Sequence, residues 1–177
     1  MKKLIPGTNK AFSKSNPFQS YKEMIELTNG LSLGQVCSIS NLDPSVIQNW
    51  VKRGYVSRPI KKKYYEKQLA RILMINSLRE SMKIEDIGNL MILINGDVED
   101  ESDDLISEES LYTIFSEVIY NLESYHDVES TIKKVMKTYK RKDEKLLNAL
   151  ETMVYAYIAS ENKKESKLYL EKLAKQK

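Results

Sequence analysis

The stretch Ser32-Leu33-Gly34-Gln35-Val36-Cys37-Ser38-Ile39-Ser40-Asn41-Leu42-Asp43-Pro44-Ser45-Val46-Ile47-Gln48-Asn49-Trp50-Val51-Lys52-Arg53-Gly54 decides the fold. Ser32 suits a helix N-cap, because its side-chain oxygen accepts one of the N–H groups that the first turn leaves unpaired. Leu33, Val36, Cys37 and Ile39 then follow the three-to-four spacing of a helix that buries one side. Ser40-Asn41 ends that helix, since Asn tolerates the left-handed conformation of a tight helix end. Asp43-Pro44 starts another: Asp can accept orphan N–H groups, and Pro at the first helical position loses no donor the helix needs. Val46, Ile47, Trp50 and Val51 form its inner side, and Gly54 supplies the stop. A helix, a three-residue turn, a capped helix and a Gly stop are the pattern of a helix-turn-helix.

Beyond Gly54, the β-prone pairs Tyr55-Val56 and Tyr64-Tyr65 flank Ser57 to Lys63 and predict a small hairpin whose loop carries Arg58, Lys61, Lys62 and Lys63, a wing. A helix from Glu66 with a stripe from Leu69 to Met82, and another over Lys83 to Asn95 built on Ile84, Ile87, Leu90, Met91 and Ile94, would close its core. Upstream, residues 1–20 read as a polar, irregular arm carrying Phe12 and Phe18, followed by a short helix over Tyr21 to Leu27 that stops at Asn29-Gly30. Downstream, the acidic run Asp97 to Asp104 cannot bury anything and marks a boundary. Helical periodicity resumes over Leu111 to Leu122, Val128 to Tyr139, Leu146 to Ile158 and Glu165 to Lys175. The expected fold class is all-α, mainly helical, with a winged helix-turn-helix and a C-terminal helical bundle. The division is an arm and short helix over 1–30, a winged domain over 31–96, an acidic linker over 97–107, and a helical dimerisation or regulatory region over 108–177.

The net charge of +3 hides two opposed blocks. Lys52 to Lys83 holds ten Lys/Arg against Glu66 and Glu80, a local balance of +8, whereas Asp97 to Glu109 holds eight acids and no base. A basic cluster within helix and turn signals is the footprint of phosphate binding. One cysteine, Cys37, excludes an internal disulfide, and one histidine, His126, excludes a cysteine–histidine metal cage, so no metal and no cofactor are expected. Such a chain suits a reducing cytoplasm. The start Met1 to Pro6 is too short and polar for a signal peptide, and no apolar run approaches the roughly 20 residues of a membrane helix.

From Leu31 to Leu93 the chain resembles the DNA-binding domain of the MerR family of bacterial regulators. Ser32-Leu33-Gly34-Gln35-Val36-Cys37 is similar to that family's opening helix, and Asn41-Leu42-Asp43 to its turn. Val46 to Val56 is similar to the helix and Gly stop that follow, and Lys63-Tyr64-Tyr65 with Leu69, Arg71 and Ile72, then Lys83-Ile84-Glu85-Asp86-Ile87, to the later segments. More narrowly, the chain resembles a family of uncharacterised proteins of Gram-positive bacteria, known as a domain of unknown function and regarded as regulators. Its members share the elements seen here as Asn49-Trp50-Val51-Lys52-Arg53-Gly54 and over Lys63 to Ile75, which includes Gln68-Leu69-Ala70-Arg71-Ile72. The resemblance implies a winged fold, duplex DNA as partner, and a small structural residue at the place of Cys37. Gln48-Asn49 stands where MerR proteins usually carry an Arg-Tyr pair, and a linker and several helices replace their long dimerising helix, so neither base preference nor effector sensing transfers.

Burying Val46, Ile47 and Trp50 leaves Ser45, Gln48, Asn49 and Lys52 together on the other side of the helix Pro44–Arg53. Gln and Asn can pair with adenine edges, while Lys52 and Arg53 suit guanine edges or phosphates. Arg58, Lys61, Lys62 and Lys63 would meet flanking phosphates, and Tyr64 or Tyr65 can donate a phosphate hydrogen bond, one ring being in and one out. The expectation is therefore a sequence-specific double-stranded DNA-binding regulator, not an enzyme, since one His, one Cys and no Gly-rich loop give no triad. A homodimer through residues 108 to 160 is expected because one winged unit reads few base pairs. The alternative is a helical adaptor whose winged domain binds a protein.

Overall fold

The computed structural model describes residues 3–96 and 105–176, and its elements are helices. In order they are α1 (Phe18–Thr28), α2 (Leu33–Ser40), α3 (Pro44–Lys52), α4 (Glu66–Leu78), α5 (Ile84–Asn95), α6 (Glu108–Asn121), α7 (Val128–Thr138) and α8 (Glu144–Ala174), with a single 3₁₀ turn at Tyr125–Asp127. The mainly helical class expected from the sequence is what forms. The acidic run Asp97 to Asp104 lies outside the described residues.

The α2–α3 unit follows the local chemistry of its caps. Ser32 and Gln35 close a reciprocal box, with Gln35 N donating to Ser32 Oγ at 3.3 Å and Ser32 N donating to Gln35 Oε1 at 2.8 Å. Asn41 ends α2 at φ 55°, and Pro44 begins α3. The Asp43 carboxylate makes no cap bond, so here the fixed φ of Pro44 does more than the acid.

The centre of the molecule is α4. Ten of its thirteen residues are buried, all the way round the helix, which is the signature of an element packed on every side. It packs against α1 and α2 on the N-terminal side and against α6 and α8 on the C-terminal side. Leu69, Ile72, Leu73, Met74 and Leu78 therefore share one core with Leu111, Tyr112, Phe115, Leu150 and Met153. The regions that the acidic run separates in sequence are not separate in packing.

Arg71 of α4 and Glu108 of α6 make this explicit: Nη1 lies 3.0 Å from Oε1, with side chains 3% and 2% exposed. Arg71 Nε also donates to the Tyr55 carbonyl at 3.1 Å, so one guanidinium holds the chain leaving α3, α4 and α6 together.

Two sequence expectations change. Residues 3–17, read as an irregular arm, form a strap built into the core. Leu4 bridges Ala11, and Asn76 Nδ2, Tyr112 Oη and Tyr157 Oη donate to the carbonyls of Gly7, Pro6 and Leu4 at 2.8, 2.7 and 3.0 Å. Gly7, at φ 76°, passes so close that a Cβ there would sit 2.1 Å from the Leu73 carbonyl oxygen. The donors come from α4, α6 and α8, so nothing local in the strap announces its burial.

The second change concerns the hairpin. Among the described residues no strand forms, and Tyr55-Val56 does not pair with Tyr64-Tyr65. The N–H groups of Tyr55 and Val56 point back to the Trp50 carbonyl at 2.9 and 3.4 Å, and the Tyr55 carbonyl is taken by Arg71. Tyr64 instead exchanges two 2.8 Å hydrogen bonds with Leu31, just before α2, and Ile60 exchanges two 2.9 Å bonds with Lys63. What remains of the predicted wing is a two-residue turn, Lys61-Lys62, held at its base.

Candidate nucleic-acid interface

Along α3, Ile47 is fully buried and Trp50 is 5% exposed, with the Arg79 guanidinium 5.8 Å from the Trp50 ring centre. Ser45, Gln48, Asn49 and Lys52 are all exposed, so the four residues predicted to face outward do so together. The helix stops where Gly54 takes φ 77° with open space around it. This leaves a two-turn helix whose outer side is an amide pair, a hydroxyl and an ammonium group.

Arg53 is also exposed but engaged. Its Nη2 lies 2.8 Å from Glu85 Oε1 at the start of α5, and its guanidinium sits 4.9 Å over the Tyr55 ring. A backbone N–H at the first turn of α5 and the Arg53 guanidinium together hold the Glu85 carboxyl below the usual carboxylate range. Tyr55 in turn reaches α5 only because residue 88 is Gly: a Cβ there would lie 2.9 Å from the Tyr55 ring. Arg53 is thus tied to α5 rather than projecting alone.

The basic turn divides similarly. Arg58, Lys61 and Lys62 are exposed, and Gln68 Nε2 fixes the Arg58 backbone by donating to its carbonyl at 3.2 Å. Lys61 and Lys62 adopt φ 48° and 65°, the left-handed pair that a two-residue hairpin turn needs and that Asn-Gly usually fills. Lys63 is half-buried and donates from Nζ to the Gly30 carbonyl at 3.2 Å, which makes it an anchor for the turn. Tyr64 is corrected outright. It is 4% exposed in the core, with burial and the neighbouring Cys37 pushing its phenol up, so it cannot reach a phosphate. Tyr65 is the outer ring of the pair, its hydroxyl 3.4 Å from Asn29.

Sequence counting also overstated the surface charge, because it could not see that Arg71 is buried against Glu108 and that Arg53 meets Glu85. Neither acid announces itself as a partner, since each is one of two in the first turn of its helix. Cys37 is half-buried, its thiol pushed up by burial and by Asp43. Among the described residues no group of three or more His, Cys, Asp or Glu side chains is placed to hold a metal ion, and no helix is long and apolar enough to cross a membrane.

A helical body, one capped helix-turn-helix unit and an exposed basic turn define the class: a mainly helical protein built around α4. Residues 20–115, more than half of the chain, match the family described as Domain of unknown function (DUF1836), and the protein belongs to that family. The match runs from α1 into α6 and includes both Arg71 and Glu108. The chain is also similar to the Uncharacterized protein YkrK of Bacillus subtilis (strain 168), with 31% identity over 86 residues, which is 46% of this chain and 37% of that protein. It therefore spans well under half the length of that relative. No solved structure matches it.

Proposed function

We propose that the protein is a sequence-specific double-stranded DNA-binding transcription regulator of the MerR-like kind, non-enzymatic and acting as a homodimer. The observation that carries this reading is α3. A short helix that Pro44 starts keeps Ile47 and Trp50 inside and gives Ser45, Gln48, Asn49 and Lys52 to solvent as one face. Amide side chains at successive positions can form paired hydrogen bonds to adenine edges, each worth roughly 1–3 kcal/mol of discrimination, with Lys52 beside them for guanine or phosphate. The Lys61-Lys62 turn takes the part of a wing, bringing ammonium groups with Arg58 to the backbone on either side of the groove. Arg53, tied to Glu85, orients the end of the reading helix and adds a weaker phosphate contact.

The test is a titration of genomic duplex fragments at several salt concentrations. Binding is expected with log affinity falling linearly against log salt, each phosphate contact adding a slope of roughly −0.9. A protein that shifts no fragment at low salt is not a DNA-binding regulator.

A further inference from the structure

Past Ser160, α8 leaves the body. None of its residues 161–174 is buried, yet Leu168, Tyr169, Leu170 and Leu173 are 50–68% exposed on this tail. Over its first half the helix buries Leu146, Leu150, Met153, Val154, Tyr157 and Ser160. At 100° per residue, the opposite side carries Tyr155, Ala159, Asn162, Ser166, Tyr169 and Leu173, and all six are exposed. Their spacing alternates four and three, the 3.5-residue repeat of a seam between two helices. Residues 108 to 160, expected from the sequence to dimerise, bury most of their large apolar side chains in the chain's own core, which leaves the outer side of α8 as the stripe free to pair.

We infer that the Asn162 to Leu173 part of this outward stripe pairs with the same part of a second copy, antiparallel, with Ser166 facing the second copy's Tyr169 and Asn162 facing its Leu173. This gives the dimer proposed above its surface, and its test needs no DNA. The seam has small or polar residues in the middle and large ones toward its ends. An antiparallel pair sets large against small, whereas a parallel pair would set Tyr169 against Tyr169 and crowd both bodies at one end.

A second antiparallel register sets Ala159 against Tyr169, but it also puts Tyr155 against Leu173, large against large, and charge disfavours it too. With Ala159 against Tyr169, the residues flanking the seam bring Glu165 beside the second copy's Glu165 and Lys163 beside its Lys163. Shifted by one heptad, Glu165 lies beside the second copy's Lys172, twice by the two-fold symmetry, and the Lys163 ammonium groups are well apart. The stripe is held outward because Lys163 and Lys167 bind Glu80 from the body at 2.8 and 3.3 Å.

Sedimentation equilibrium on the full chain decides it. The wild type is expected to dimerise, and Leu173→Glu to be monomeric with unchanged far-ultraviolet circular dichroism, since Leu173 touches no core. Glu165→Lys and Lys172→Glu should each weaken the dimer at least about tenfold, by setting like charges face to face twice, and the double variant should return to within about threefold of wild type. A wild type monomeric at about 100 µM, a dimer indifferent to Leu173→Glu, or a double variant no tighter than the singles would each overturn the inference. Loss of DNA binding with the dimer intact would instead count against the DNA reading alone.

Discussion

Arg71 and Glu108 lie 3.0 Å apart with side chains almost wholly withdrawn from water, one on each side of the acidic run. A buried pair of this kind adds little net stability over an apolar pair of the same shape, but removing one partner leaves a charge with no water to solvate it. Here that charge would sit where α4 meets α6 and where the chain leaves α3. The pair thus ties the α2–α3 unit and the C-terminal helices into one body.

Arg71→Met alone is expected to destabilise the protein by about 3–5 kcal/mol in urea unfolding, with Arg71→Met/Glu108→Leu recovering most of the loss. Both variants should unfold in one transition. If the single substitution produced two separated transitions, the two regions would be independent domains after all.

The left-handed lysines predict an opposition between stability and binding. Non-glycine residues at such φ values carry a penalty of roughly 1–2 kcal/mol each, so Lys61→Asn/Lys62→Gly should raise the melting temperature. The same change should weaken binding to all DNA sequences alike and flatten the log–log salt slope by about 2. A lower melting temperature would show that the turn is not strained.

Replacing Gln48 and Asn49 with Ala acts on the other face. Overall affinity for non-specific duplex should persist, while preference between fragments collapses, as measured by competition binding. Were the alanine pair and the Lys61/Lys62 pair to behave identically, the division of labour between α3 and the turn would be wrong.

Two glycines separate conformation from space. Gly54→Ala, at φ 77° with nothing near, should lose only about 1 kcal/mol, whereas Gly7→Ala combines φ 76° with a 2.1 Å approach to the Leu73 carbonyl and should lose about 3 kcal/mol or more. Equal losses in chemical denaturation would remove the strap from the core.

Tyr139 gives a pH signature. Burial first, and then its 2.7 Å hydrogen bond to Glu117, push its phenol up to about 12. A raised folded value means stabilisation complete below pH 10 and lost as pH climbs from 10 through 12. The difference between the alkaline absorbance titrations of wild type and Tyr139→Phe should show one phenolate appearing near pH 12; one appearing near 10 would mean that Tyr139 is neither shielded from water nor bonded to Glu117.

The parts of this structure legible in the sequence are those that local chemistry dictates. Ser32, Asn41, Pro44 and Gly54 set the limits of α2 and α3, and periodicity alone put Ile47 and Trp50 inside. The hairpin was misread because Tyr55 and Val56 have the propensity for a strand but have their backbone groups claimed by α3 and Arg71. Tyr64 and Tyr65 look alike in sequence, and only the bridge from Tyr64 to Leu31 decides which ring turns inward. The strap was invisible for the same reason: its acceptors answer donors more than a hundred residues away on α6 and α8, and one on α4.

That strap also sets an order of assembly. Leu4 and Tyr157 are 153 residues apart, so a chain emerging from the ribosome can fasten Gly7 to α4 and Pro6 to α6 but leaves Leu4 without its donor until α8 has been made. The α2–α3 unit can take shape early from its own caps, but the body that holds it cannot close until the eighth helix arrives. The strap is therefore fastened backwards, from Gly7 to Leu4, in the order in which α4, α6 and α8 are made.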